Sequence, residues 1–264
     1  MARKIKKKPV PKESKEGVII ISVTGAILGI ILIILLTLAI YPNCTGSSDD
    51  NEESSAPAEY SYFEFSDTES SVVEASTQSF ETPEFLKSVV IDETKDYYVD
   101  IDIKDYGVVS VKLDYEAAPI TVKNFVYLTE SGFYNGLTFH RIMDGFMMQG
   151  GDPQHNGYGG SENTIPGEFT SNGFNNTLSH TKGAISMARS NDKDSASSQF
   201  FIVQTDNYTS TLDGNYACFG YVTSGMPIVE KICKNAKPTD TNGTINYEEQ
   251  PVINTMTIRT EDKA

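Results

Sequence analysis

The chain has 264 residues, a formal net charge of −15, 39% hydrophobic residues, no Trp and only three Cys. So acidic a chain presents no broad basic surface for phosphate, which excludes a nucleic-acid binder, and three cysteines without a CxxC pair exclude a disulfide scaffold or thiolate metal site. The charge is uneven: residues 1–16 carry seven Lys/Arg against Glu13 and Glu16, a local +5 that leaves −20 on the rest.

Val18 to Ile40 follows as 23 residues without a charge. As a helix they rise about 35 Å, enough for a hydrocarbon core of about 30 Å. Lys and Arg before this run and acids after it predict a single membrane span over 17–41, with residues 1–16 cytoplasmic and the remainder outside the cell. Two alternatives stay open. A cleaved signal has a shorter apolar region and small residues at its cut site, and Ala39-Ile40-Tyr41-Pro42 is a poor match. Cys44 could carry lipid, though Tyr41-Pro42-Asn43 lacks the small residues such a site needs.

Residues 42–93 are rich in Ser, Thr, Asp and Glu, which predicts a disordered acidic tether. Tyr60 to Phe65 alternates like a strand within it, as an aromatic patch or a peptide for a partner. A folded domain is expected over 94–264. Tyr97–Ile103 and Val108–Leu113 alternate apolar and polar around Asp105-Tyr106-Gly107, a hairpin pattern. Pro119 opens a helix whose Val122, Phe125, Val126 and Thr129 form one stripe, and Gly132 follows its end. A Gly-rich stretch runs from Gly150 to Gly173. Short strands are expected at Gly183–Ala188, Gln199–Gln204 and Tyr216–Val222, a helix from Pro227 to Lys234, and a last strand over Val252–Arg259. Many short strands with two helices predict a mainly β, antiparallel sheet that closes on itself. Cys218 and Cys233 read as small core residues rather than a disulfide pair.

Phe139-His140-Arg141-Ile142-Met143-Asp144-Gly145-Phe146-Met147-Met148-Gln149-Gly150-Gly151-Asp152 is the most informative stretch. It places Arg141 and Gln149 among Phe and Met side chains. Hydrolase chemistry finds no support: there is no G-x-S-x-G, and Cys218 lies in an apolar strand. His140 and Asp144 have metal spacing only on a helix, which Gly145 and Gly150 oppose. Asp240-Thr241-Asn242-Gly243 is a faint calcium-loop pattern with its glycine displaced; an ordinary turn is the plainer reading. Arg141 could equally make a surface ion pair.

Residues 139–152 resemble the signature of the cyclophilins, the peptidyl-prolyl cis-trans isomerases, in a membrane-anchored bacterial form. Ala118 to Phe125, Ser131 to Tyr134, Gly183 to Ala188, Ser198 to Ile202, Leu212-Asp213-Gly214, Phe219-Gly220 and Gly225-Met226 resemble further blocks of that family, in its order. The resemblance implies a closed eight-stranded antiparallel β-barrel capped by two α-helices. It implies catalysis by Arg141, Gln149 and Phe146, with substrate binding by Met147, Ala188, Arg189, Gln199, Phe201, Thr211, Leu212 and Tyr216, and no cofactor. Thr211, Tyr216 and Arg189 depart from common family residues, which bears on inhibitor binding and peptide preference. The expected partners are proline-containing segments of exported proteins, met by a monomer at the outer membrane face. A tethered peptide-binding chaperone or scaffold is the alternative.

Overall fold

The computed structural model describes residues 79–263. The basic tail at 1–16, the span at 17–41, Cys44, and residues 42–78 of the tether lie outside the described residues. Among the described residues, no helix is long and apolar enough to cross a membrane.

Eight strands form one antiparallel sheet: β1 (Lys95–Ile103), β2 (Gly107–Leu113), β3 (Arg141–Met143), β4 (Met147–Gly150), β5 (Ala184–Met187), β6 (Phe200–Val203), β7 (Cys218–Ser224) and β8 (Ile253–Asp262), in the order β3-β4-β6-β5-β7-β2-β1-β8. The helices are α1 (Pro119–Glu130), the single turn α2 (Thr209–Leu212) and α3 (Met226–Asn235). The β1–β2 hairpin pairs Ile103 with Gly107 across the turn, as the alternation predicts.

The expected closure is corrected. β3 and β8 stand at opposite ends of the ladder and do not pair with each other. The segment entering β3 meets the start of β8 instead: Phe139 N–H donates to the Pro251 carbonyl and Ile253 N–H to the Leu137 carbonyl, around an isolated bridge between Thr138 and Val252. The outer edge of β3 is taken by residues 243–245: Ile142 N–H donates to the Gly243 carbonyl and Ile245 N–H to the His140 carbonyl, around a bridge between Arg141 and Thr244. The β3–β4 pair was not foreseen as strands, because glycines interrupt its pattern.

Period-two alternation divides the sheet. Ile142, Met148, Ile185, Phe200 and Ile202 face the main core, which α1 covers with Phe125. Phe125 packs against Tyr134, Phe200 and Phe219, with ring centroids 4.9–5.4 Å apart, spacings that favour aromatic pairs. The N-terminus of α1 has no side-chain cap from Ala118. Instead the buried carboxylate of Glu168 accepts hydrogen bonds from the N–H groups of Ile120 (2.9 Å) and Thr121 (2.7 Å), where the helix presents orphan donors and a positive dipole end.

The folded unit also begins earlier than residue 94. A 3-10 turn at Glu84–Leu86 buries Leu86 completely in the core. Phe80 stacks on Phe174 at 5.7 Å, Phe85 meets the ring edge of Tyr127, and Val89 and Ile91 pack against the same core. Acidic composition averaged over a window hides these five apolar side chains.

Candidate functional site

The other face of the sheet carries a second, smaller cluster: Met147, Ala184, Phe201, Val203, Leu212 and Cys218. The same alternation creates it, since each of these strand residues flanks one that points into the main core. Register then sets a row across the sheet. Arg141 pairs with Gln149, Gln149 with Phe201, Phe201 with Ser186, and Ser186 with Cys218.

Arg141 stands half-buried at the edge of this row. Its Nε donates to the carbonyl of Asn242 at 2.7 Å, its Nη1 to Gln149 Oε1 at 3.1 Å, and its Nη2 to the sulfur of Met143 at 3.3 Å. The guanidinium carbon lies 6.0 Å from the ring centre of Phe146. Burial lowers the Arg141 pKa from its usual value, yet guanidinium stays protonated at any relevant pH. The Asn242 carbonyl is presented by a turn in which Asp240 accepts from the N–H groups of Asn242 and Thr244 and from the Thr244 hydroxyl. The faint calcium pattern is thus a turn whose carboxylate is already engaged, and it steers Arg141.

Gln149 continues the relay. Its Nε2 donates to Gln199 Oε1 at 2.9 Å, and Gln199 Nε2 donates to the carbonyls of Gly159 (2.7 Å) and Gly157 (3.0 Å). Those glycines belong to a loop wound around Asp152, whose carboxylate accepts from the N–H groups of Gln154, Asn156 and Gly157. Burial pushes the Asp152 pKa up, but these donors outweigh it and leave the carboxyl below its ordinary value. At Gly151, φ is +84° and a Cβ would lie 2.5 Å from the Ser198 carbonyl, so only glycine turns the chain from β4 into this loop. Gln149, Gln199, Ala188, Arg189 and the loop line a cleft of about 340 Å³.

The apolar wall is assembled from Phe146, Met147, Phe201, Leu212, Ala188 and Tyr216. Phe201 rests edge-on against Tyr216 at 5.8 Å and stacks on His180 at 6.1 Å. Sequence reasoning missed His180. Its Nδ1 lies 2.7 Å from Asp213 Oδ1 and its Nε2 2.9 Å from the Ser186 hydroxyl. With Nδ1–H donating to the carboxylate, Nε2 accepts from Ser186. Burial holds the His180 pKa below its usual value despite Asp213. The His180–Asp213 pair therefore braces the floor under Phe201.

Arg189 is fixed beside the wall. Its guanidinium lies 4.9 Å from the Tyr216 ring centre and 5.0 Å from that of Phe169, and its Nε donates to the Asn215 carbonyl at 3.0 Å. Thr211 is exposed and absent from the cluster. The structure brings the other sequence-expected residues together and leaves Thr211 aside. Nearby, the Tyr208 ring packs on Phe146 with ring centroids 4.2 Å apart and planes tilted by 40°.

His140 and Asp144 do not converge. His140 is buried beneath Gly157, and Asp144 accepts from Gln204 Nε2 at 2.9 Å. Cys218 and Cys233 are free and buried, with both thiols pushed up to about 12 by burial. Neither is a nucleophile at neutral pH. A larger cleft of about 760 Å³ between β1, β2 and the start of α1 contains the Lys112–Asp96 ion pair and lies apart from this row.

Such a surface offers two held guanidiniums, Arg141 and Arg189, and two amides, Gln149 and Gln199, beside an apolar depression. Residues 98–260 match the family described as cyclophilin type peptidyl-prolyl cis-trans isomerase/CLD. The chain is 43% identical over 133 residues to peptidyl-prolyl cis-trans isomerase A of Dickeya dadantii, a match covering 48% of this chain and 66% of that protein. It is 42% identical over 130 residues to isomerase B of Bacillus subtilis, covering 49% of this chain and 86% of that one. A Cryptosporidium parvum cyclophilin solved in the presence of the dipeptide Ala-Pro is similar over 62% of this chain and 99% of its own, with 27% identity and a TM-score of 0.54.

Proposed function

The chain belongs to the cyclophilin-type peptidyl-prolyl cis-trans isomerases, and on that premise we propose that it turns X-Pro bonds of exported or surface proteins at the outer face of a membrane. The observation that carries the chemistry is the 3.1 Å Arg141–Gln149 pair at the edge of the Met147–Phe201–Leu212 depression. A similar solved protein was crystallised in the presence of Ala-Pro, which supports a proline-containing substrate here.

An X-Pro bond rotates over a barrier of about 18–20 kcal/mol set by amide resonance. Twisting the bond makes the proline nitrogen pyramidal and frees its lone pair. A donor reaching that lone pair binds the twisted state better than either planar isomer, and such differential binding is catalysis. Arg141 is the donor. A hydrogen bond to a charged group contributes about 1.5–3 kcal/mol, or about 10–150-fold in rate. The remainder comes from the depression, in which Phe146, Met147, Phe201 and Leu212 grip the ring while the preceding carbonyl swings. Excluding water there also removes hydrogen bonds that favour the planar amide. Gln149 holds the peptide backbone on the side of the cleft shared with Gln199, Ala188 and Arg189, and Tyr216 closes the far wall.

The membrane context rests on the basic tail, the 23-residue apolar run and the acidic stretch after it. Two measurements test the proposal. Purified full-length chain should accelerate cis-to-trans conversion of a proline tetrapeptide in a protease-coupled assay. On intact cells, added protease should degrade the domain. Protection of the domain until lysis would refute its placement outside.

A further inference from the structure

Arg141 is the first residue of a strand only three residues long, so its own element gives it little support. A turn far along the chain supplies the rest. Ile142 N–H donates to the Gly243 carbonyl at 2.8 Å and Ile245 N–H to the His140 carbonyl at 2.9 Å, which brackets the Arg141 backbone opposite Thr244. The exposed Asp240 ties this turn together. Its Oδ1 accepts from the N–H groups of Asn242 and Thr244, both at 3.0 Å, and its Oδ2 from the Thr244 hydroxyl at 2.8 Å. Thr239 closes the base, with its N–H and hydroxyl donating to the Thr244 carbonyl at 2.8 and 3.1 Å. The Asn242 carbonyl is thereby aimed at Arg141 Nε, 2.7 Å away. Gly243 completes the approach. Its φ is +90° and a Cβ there would lie 2.5 Å from Met143 Cγ, so bare backbone leaves room for Met143 to set its sulfur 3.3 Å from Arg141 Nη2.

Resting on the isomerase reading above, we propose that Asp240 is a positioning residue for Arg141, acting through the Asn242 carbonyl rather than on the substrate. An arginine side chain loses much rotamer freedom when it is ordered, and one contact leaves its plane free to swing. Gln149 anchors the guanidinium at Nη1, and Asn242 anchors it at Nε. Two anchors on one rigid fork set the direction of the whole plane. The guanidinium has five N–H donors, so donors remain for the proline nitrogen after both anchors are satisfied. Without Asp240 the Asn242 carbonyl is no longer held in place, and the second anchor loosens. The apolar wall and Gln149 still bind the planar peptide, whereas the aim of Arg141 matters when the amide twists. The loss therefore falls on kcat and spares KM. Asparagine is a fair substitute for Asp240. Its Oδ1 still accepts from both N–H groups, and its Nδ2 donates to a Thr244 hydroxyl turned to accept.

Protease-coupled kinetics on one proline peptide, run with full-length wild type, Asp240→Ala and Asp240→Asn, tests this. Asp240→Ala should lower kcat about two- to tenfold with KM unchanged, and Asp240→Asn should recover most of that loss. A double-mutant cycle locates the effect: in an Arg141→Ala background, Asp240→Ala should lower kcat no further. NMR of the 15N-labelled chain gives a readout independent of turnover. The Arg141 Nε–H signal, identified by its loss in Arg141→Ala, should exchange with water faster in Asp240→Ala than in wild type. An unchanged kcat in Asp240→Ala overturns the proposal, as does an equal fall in kcat with Arg141 already removed. A loss carried by KM, or an Asp240→Asn variant as slow as Asp240→Ala, also overturns it, since the first marks a change in the peptide wall and the second an effect of charge alone. Absence of turnover by wild type would instead overturn the isomerase reading, while the Nε–H exchange still reports whether Asp240 holds Arg141.

Discussion

Arg141 Nη1 donates to Gln149 Oε1 at 3.1 Å across the β3–β4 pair, where the two residues sit directly opposite in register. The contact fixes both groups: Gln149 gives one Oε1 lone pair to the guanidinium and one Nε2–H to Gln199, which leaves a second N–H and lone pair for a peptide. Arg141 is therefore aimed before substrate arrives, which saves reorganisation when the amide twists.

Gln149→Leu removes the acceptor while keeping volume. Net loss of a hydrogen bond costs about 0.5–1.5 kcal/mol, so kcat/KM should fall about two- to tenfold, with kcat and KM both affected. Steady-state kinetics on one proline peptide checks this; an unchanged kcat/KM would remove Gln149 from the site.

Leu86→Ala should destabilise the domain by about 2–5 kcal/mol, the usual cost of emptying a buried leucine site, because Leu86 is fully buried. Urea unfolding of the full-length chain measures it. A loss within 0.5 kcal/mol, the range typical of surface substitutions, which is about zero on this scale, would mean the 80–91 segment does not hold the core.

Glu168→Ala leaves the Ile120 and Thr121 N–H groups without their acceptor. Loss of a helix cap costs about 0.5–2 kcal/mol, and burial of the freed donors adds to it. A lowered thermal midpoint with unchanged peptide selectivity is the expected outcome; an unchanged midpoint would contradict the capping role.

Burial holds the His180 imidazole below the ordinary histidine value of about 6.5. The unfolded chain therefore binds more protons than the folded one below that value, and this contribution to stability, complete above it, is lost as pH falls toward the folded pKa. The stability advantage of wild type over His180→Gln should shrink between about pH 7.5 and 5. Urea midpoints across that range report it, and an advantage that grows on acidification would contradict the buried, neutral imidazole.

Much of this was legible in the sequence wherever one local rule dominates. Strict alternation marked β1 and β2, and Pro119 with Gly132 bounded α1. The 139–152 stretch pointed to the site through its resemblance to a family signature, whereas the β3–β4 register that sets Arg141 opposite Gln149 was not foreseen. What stayed hidden depends on partners far along the chain. Glu168 caps a helix 48 residues away, Asn242 holds Arg141 from 101 residues away, and His180 meets Asp213 over 33. Leu86 and Phe80 were masked by acidic neighbours, although their burial is decided by the surface of α1 and by Phe174. Tyr208 gave no periodic signal, because a 3-10 turn carries it. Sheet closure failed because residues 243–245, rather than β8, take the outer edge of β3.

The most direct test is turnover by Arg141→Ala in the protease-coupled proline isomerisation assay, with circular dichroism as the folding check. Arg141 is half-buried at the sheet edge and outside the main core, so the variant should fold. The account predicts a fall in kcat/KM of about 10–150-fold. A folded Arg141→Ala chain with near-wild-type turnover would contradict it.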